Sequence, residues 1–268
     1  MEPVYRVLEA IAGSILAVQG VRRRYFGLDN IPRSGGGVVV INHTSYTDFM
    51  PSGLGLARKH RRGRYMVKSE IMDFAIMRFL VKHAKAVPVD RSAGGTAYHA
   101  AVNALQAGEL IVVYPESTIS RSFELKEFKP GAVRMAIEAG VPIIPVIVWG
   151  AQRQWTKGAK RQLGRARIPI DIEFGEPMHF GPDDDADDGT RRLREVMTAL
   201  LHRVQERYPD APEGADWLPA RLGGSAPTPE EALVIEEAEA AEKARKRAEK
   251  HGPPDHHDPS DQHGRPEK

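Results

Sequence analysis

Six short apolar runs alternate with helical patterns along this chain, and that alternation restricts the fold more than any other feature. The runs are GVVVI (37–41), RYMV (64–67), AVPV (86–89), LIVVY (110–114), PIIPVIV (142–148) and IPIDIEF (168–174), each bounded by Gly, Pro or charge, as buried strands are. Helical spacing fills roughly 47–57, 69–83, 95–107 and 130–139, then 189–207 after the last run. Strands separated by helices imply an α/β fold. The expected architecture is a mixed, mostly parallel central sheet flanked by helices, with an N-terminal amphipathic helix and a disordered or helical C-terminal tail. A chain of 268 residues with 41% hydrophobic content can bury one full core.

Composition divides the chain into a helix at 1–24, a main domain at 25–210, and a segment at 211–268 that reads as linker, charged helix and disordered end. Residues 223–268 carry 7 Lys and Arg against 11 Asp and Glu, so an acidic tail follows a basic body. Positive charge in the body gathers at RRRY (22–25), RKHRRGR (58–64) and 153–167, which suits anionic partners. There is no cysteine, which excludes disulfides and thiolate chemistry. Four histidines of the tail (His251, His256, His257, His263) are separated by Pro and Gly that preorganise nothing, so no metal site is expected.

The N-terminal candidate for a membrane span, Ala10 to Val21, is 12 residues, well short of the roughly 20 that a crossing needs. A charged Arg6 and Glu9 precede it, and a secretory signal is not expected. Val4, Val7, Leu8, Ile11, Ile15 and Val18 fall largely along one helical stripe with three arginines following, a pattern suited to a helix lying in a lipid headgroup region or, alternatively, to core packing. The second helical pattern, IMDFAIMRFLVKHA, allows the same two readings.

The stretch VVVINHTSYTDFMP (38–51) places a His, four hydroxyl side chains and an Asp directly after a buried strand, at the sheet edge where α/β proteins meet their ligands. Thr44 and Ser45 suit the N-cap of the helix that follows. With His43 in the turn before that helix, Asp48 in its first turn can reach back, fix the tautomer and make the other ring nitrogen a base. A structural histidine beside a capping aspartate also fits the pair, so the spacing needs support from elsewhere in the chain. KAVPVDRS and IVVYPESTISRS deliver Asp90 and Arg91, then Glu116, Ser117, Thr118 and Arg121, to further strand ends. Together these suit deprotonation of an alcohol while an anion is held.

These blocks resemble the 1-acylglycerol-3-phosphate acyltransferase family of glycerolipid acyltransferases: NHTSYTD its His, four residues, Asp pattern, VPVDRS its second block, YPEST its third, and VPIIPVIVWG its fourth. The likeness covers roughly 25–180. It implies that 25–210 is an acyltransferase domain and that an acyl group passes from an acyl-CoA or acyl-ACP thioester to the free hydroxyl of lysophosphatidic acid or a related lysolipid. It implies His43 as general base oriented by Asp48, and Lys68, Arg91, Glu116, Ser117, Thr118 and Arg121 as acceptor-binding residues, with no cofactor and no nucleic acid. The family's usual Gly in the third block is Ser117 here, and its usual Arg after the Thr is Ile119. Lipidic substrates imply a membrane surface, and the expected location is the cytoplasmic face, peripheral or monotopic. A non-catalytic anionic-lipid binder would use the arginines but not the His–Asp pair. A serine esterase through Ser45 or Ser117 lacks the Gly-x-Ser-x-Gly elbow. The acidic tail holds no motif residue, so its removal is expected to leave the chemistry intact.

Overall fold

The computed structural model describes residues 3–68, 75–89, 95–209 and 211–251. Among them, helix α1 (Pro3–Val18) leads into β1 (Arg22–Phe26), β2 (Gly37–Ile41), α2 (Phe49–Ala57), β3 (Gly63–Lys68), α3 (Ala75–His83), β4 (Val87–Val89), α4 (Thr96–Gln106) and β5 (Leu110–Val113). Helix α5 (Gly131–Ala139), β6 (Ile143–Trp149), β7 (Pro169–Phe174), α6 (Ala186–Glu206) and α7 (Pro229–His251) complete the order.

The strands form one seven-stranded sheet in the order β1-β7-β6-β2-β5-β3-β4. Every neighbouring pair is parallel except β6 with β7. The sheet is therefore mixed and mostly parallel, as the alternation predicts. Strands β2, β5 and β6 are buried along their whole length, which explains their unbroken Val and Ile runs. On one face Val38, Val40, Ile111 and Ile147 pack with α4, α5 and α6 side chains such as Leu105, Val133 and Leu201. On the other, Val39, Val112 and Ile144 pack with Leu56, Ile172 and Phe174.

Strand β1 has no counterpart among the six apolar runs, because Arg22, Arg23 and Arg24 hide it. It pairs with β7, and Arg24 Nε and Nη2 reach the two oxygens of fully buried Asp171 at 2.6 and 2.8 Å. Pro145 sits inside the central strand β6, where a missing N–H would normally break a ladder. Its carbonyl accepts from Gly175 N at 2.8 Å, so its missing N–H points toward the β7 side, where strand pairing begins only at Val146.

The basic cluster 58–64 is largely absorbed by the fold rather than presented to a partner. Arg61 donates to the carbonyls of Pro32, Gly35 and Gly108, Arg64 pairs with Glu109, Arg62 with Glu9 and Lys59 with Asp29. The tail forms the expected charged helix, now bounded as α7, and residues 252–268 lie outside the described residues.

Candidate active site

Strands β2 and β5 are parallel neighbours, with Val40 opposite Val113, so the segments that leave them emerge side by side. His43 leaves β2 and Glu116 leaves β5. The Glu116 carboxylate accepts the backbone N–H of His43 at 2.7 Å through Oε1 and that of Lys126 at 3.1 Å through Oε2. A second tie runs from Ser120 N to the His43 carbonyl at 2.8 Å. The histidine backbone is thus fixed from the β5 side.

Its ring is fixed from α2. Asp48 directly precedes the helix, and its Oδ2 lies 3.2 Å from His43 Nδ1 while accepting Thr44 N at 3.0 Å and Ser45 N at 2.8 Å. The aspartate folds the turn 43–48 back upon itself, so the helix begins at Phe49 and not at the expected 47. Neither hydroxyl expected to cap that helix does so: Ser45 Oγ donates to the Trp155 carbonyl at 2.7 Å, and Thr44 Oγ1 makes no hydrogen bond. Complete burial pushes the Asp48 carboxyl above its ordinary range, while the His43 imidazole and the two backbone N–H groups pull it down. Nδ1 held by Asp48 leaves Nε2 as the ring nitrogen available to take a proton. Tyr114 stacks on the imidazole with ring centroids 4.2 Å apart.

His43 opens onto a cavity of about 750 Å³. Met66, Val113, Ala132 and Met135 give it an apolar wall, and Ser117, Thr118 and Lys157 a polar one. Ser117 has φ 64°, in the left-handed region, at the position where the resembled pattern carries glycine. Ile119, where that pattern carries Arg, is buried.

Glu116 is buried, and burial raises its carboxyl to about 8 against the pull of its two backbone donors. With both oxygens engaged by backbone it meets the histidine's main chain, whereas the resemblance implies contact with an acceptor. Arg121 sits beside the polar wall: its Nη1 lies 3.4 Å from the Lys157 carbonyl and its Nη2 meets Glu239 of α7. An ideal Cβ on Gly158 (φ +83°) would lie 2.4 Å from Arg121 Nη1, so a side chain there would shift the end of the guanidinium. Lys126, whose Nζ donates to Thr118 Oγ1 at 2.7 Å, and Lys157 complete a three-cation group that the sequence did not single out. Lys68 closes β3, its side chain outside the described residues, as is Arg91 altogether. Among the described residues no group of His, Asp and Glu is arranged to hold a metal ion.

The fold and site define an α/β protein with a buried Asp orienting a His over a partly apolar cavity. A family model described as Acyltransferase matches residues 22–149. A 1-acyl-sn-glycerol-3-phosphate acyltransferase of Limnanthes douglasii is 25% identical over 209 residues, covering 73% of this chain and 69% of the relative. A lyso-ornithine lipid O-acyltransferase of Brucella abortus is 25% identical over 194 residues, covering 61% and 70%. The crystal structure of the 1-acyl-sn-glycerophosphate (LPA) acyltransferase PlsC from Thermotoga maritima shares the fold, with a TM-score of 0.60 at 20% identity over 78% of this chain and 86% of that one. Residues 22–149 of the chain are thus acyltransferase-like, within a fold shared with PlsC.

Proposed function

We propose that this enzyme transfers a fatty acyl group from an acyl thioester to the free hydroxyl of lysophosphatidic acid, forming phosphatidic acid. The observation that carries the reading is the His43–Asp48 pair, 3.2 Å apart at the mouth of the cavity. In this mechanism His43 Nε2 takes the proton of the acceptor hydroxyl as its oxygen attacks the thioester carbonyl. The C–S bond then breaks, and the proton passes to the departing thiolate. Asp48 holds the tautomer and balances the imidazolium. Glu116 is a positioning residue that keeps His43 at the strand end. The apolar wall takes acyl chain, and the polar wall of Ser117 and Thr118, with Arg121, Lys126 and Lys157 beside it, takes the acceptor phosphate. Lys68 and Arg91 join that assignment on the resemblance alone.

The donor is acyl-CoA or acyl-ACP, and the working location is a membrane surface on its cytoplasmic side. No described helix is long and apolar enough to cross a membrane. Helix α1 buries Tyr5 and Leu16 yet leaves Val7, Ile11, Ile15 and Val18 at 57, 50, 42 and 76% exposure, a continuous apolar stripe facing away from the core. The exposed loop 158–167 touches the end of α1 through Gln19, which sets exposed Leu163 and the nearby Arg165 and Arg167 beside the helix end. Apolar area beside cations is what an interfacial anchor needs.

Ile119 favours a second reading, in which the acceptor is another lysolipid, since the cation usual at that position is replaced by a buried apolar side chain. Thiol release from an acyl thioester, measured alone, with lysophosphatidic acid and with lyso-ornithine lipid, decides. Release dependent on lysophosphatidic acid supports the main reading, and dependence on the other lipid the second. Acceptor-independent release makes the protein a hydrolase, and no release under any condition overturns both readings.

A further inference from the structure

The acidic tail, which the sequence separates from the chemistry, meets the site through one stripe of α7. Ala232, Glu236, Glu239 and Lys243 are spaced i, i+4, i+7 and i+11, so they share a face. Ala232 is buried, and Lys243 lines the catalytic cavity. Glu236 pairs with Lys126, and Glu239 pairs with Arg121 and, at 2.8 Å, with Lys157 Nζ. Two carboxylates thus occupy the three cations beside the polar wall, and Lys126 at the same time bridges to Thr118 of that wall.

The apolar residues of α7 do not seat it. Leu233, Val234 and Ile235 stand 57, 65 and 39% exposed, off the inward stripe. A helix attached by ion pairs with one buried alanine gains little from hydrophobic burial, and its attachment is electrostatic. Carboxylate oxygens on Arg and Lys occupy the positions that the oxygens of a phosphate monoester would take, with the same charge and the same donors.

We propose that α7 is a displaceable acidic cover. Glu236 and Glu239 stand in for the phosphomonoester of the acceptor on Arg121, Lys126 and Lys157, and that ester opens the site by replacing them. This rests on the phosphate assignment made above, and it makes the tail a competitor of the acceptor instead of a bystander.

The test uses the full chain with Glu236→Gln and Glu239→Gln together, and the probe is glycerol 3-phosphate, followed by calorimetry. A second variant, Glu230→Gln with Glu237→Gln, makes the same change of charge at exposed positions of the same helix. The first variant binds the probe at least about fivefold more tightly than the parent, and the second binds like the parent. Adding the probe to the parent chain also speeds amide exchange across 229–251. Equal binding by all three proteins, tightening by both variants alike, or no binding by any of them overturns the cover. Inorganic phosphate in a parallel titration separates a free anion from the glycerol ester as the source of displacement. The thiol-release assay reports separately on acyl transfer. Tighter binding without transfer sinks the enzymatic reading alone, and transfer with unchanged binding sinks the cover alone.

Discussion

The Glu116 carboxylate accepts the backbone N–H of His43 at 2.7 Å, joining the ends of two neighbouring parallel strands at the residue proposed as the base. Burial raises Glu116 to about 8. An unfolded carboxyl titrates near 4.5, so between about pH 4.5 and 8 the folded chain holds a proton that the unfolded chain has released, and stability from this group falls as pH rises. Glu116→Gln removes that slope and leaves one backbone donor without its acceptor, at a cost of about 1 to 3 kcal/mol. Urea unfolding at pH 5 and pH 8.5 checks both: the gap between parent and variant is larger at pH 5. A gap that widens toward pH 8.5 contradicts the assignment.

His43→Ala is expected to lower turnover at least about a hundredfold, the lower scale for loss of a general base. Because the Glu116 and Ser120 contacts are to the His43 main chain, the melting temperature changes little. Near-parental turnover in the folded variant removes His43 from the mechanism.

Ser117 holds a left-handed conformation that costs an L-residue about 1 to 2 kcal/mol. Ser117→Gly relieves it, less the extra entropy glycine loses on folding, so the variant is expected to be at least as stable as the parent. Ser117→Val is expected to be less stable, because a β-branched side chain tolerates that region worst. Thermal melting of the three proteins gives the order, and Val at or above Ser refutes the strain.

Helix α1 can be tested without disturbing its packed side. Ile11→Glu with Ile15→Glu changes only residues that are 50 and 42% exposed, leaving Tyr5 and Leu16 in place. Sedimentation with anionic vesicles is expected to fall sharply while the melting temperature holds. Sedimentation equal to the parent's means that α1 is not the anchor.

Arg61 makes the opposite prediction. Its guanidinium satisfies three backbone carbonyls, so Arg61→Met is expected to cost about 1 to 3 kcal/mol of stability and to leave vesicle binding unchanged. Weakened vesicle binding at full stability would return the cluster to the role that its charge suggests.

That cluster marks where the sequence stops being legible. Strands β2, β5 and β6 could be read because burial on both faces writes itself as continuous Val and Ile, and RYMV and AVPV because charge and Gly bound them. The sixth, IPIDIEF, also became a strand, but its antiparallel sense leaves no local trace. Strand β1 escaped because its pairing with β7 is stabilised by Asp171, a partner far away in sequence that makes an arginine tolerable there. Charge density likewise could not reveal that Arg61 serves carbonyls. The His43–Asp48 pair was readable because the contact is local, spanning five positions. The ion pairs of Glu236 with Lys126 and of Glu239 with Arg121 span more than a hundred positions and involve residue types common on any surface, so only the folded chain brings them together.

Only Pro227 and Thr228 connect α7 to Ala226, which is buried against the domain and donates its N–H to the Leu218 carbonyl. A tether of that length keeps the two carboxylates at an effective local concentration in the millimolar range. A dissolved acceptor at micromolar levels competes poorly against it. An acceptor confined to a bilayer would, for a protein lying on the same surface as proposed above, be concentrated by the loss of a dimension. The cover therefore sets a threshold in surface density, and the enzyme it guards would respond to how crowded its substrate is in the membrane more than to how much of it the cell contains.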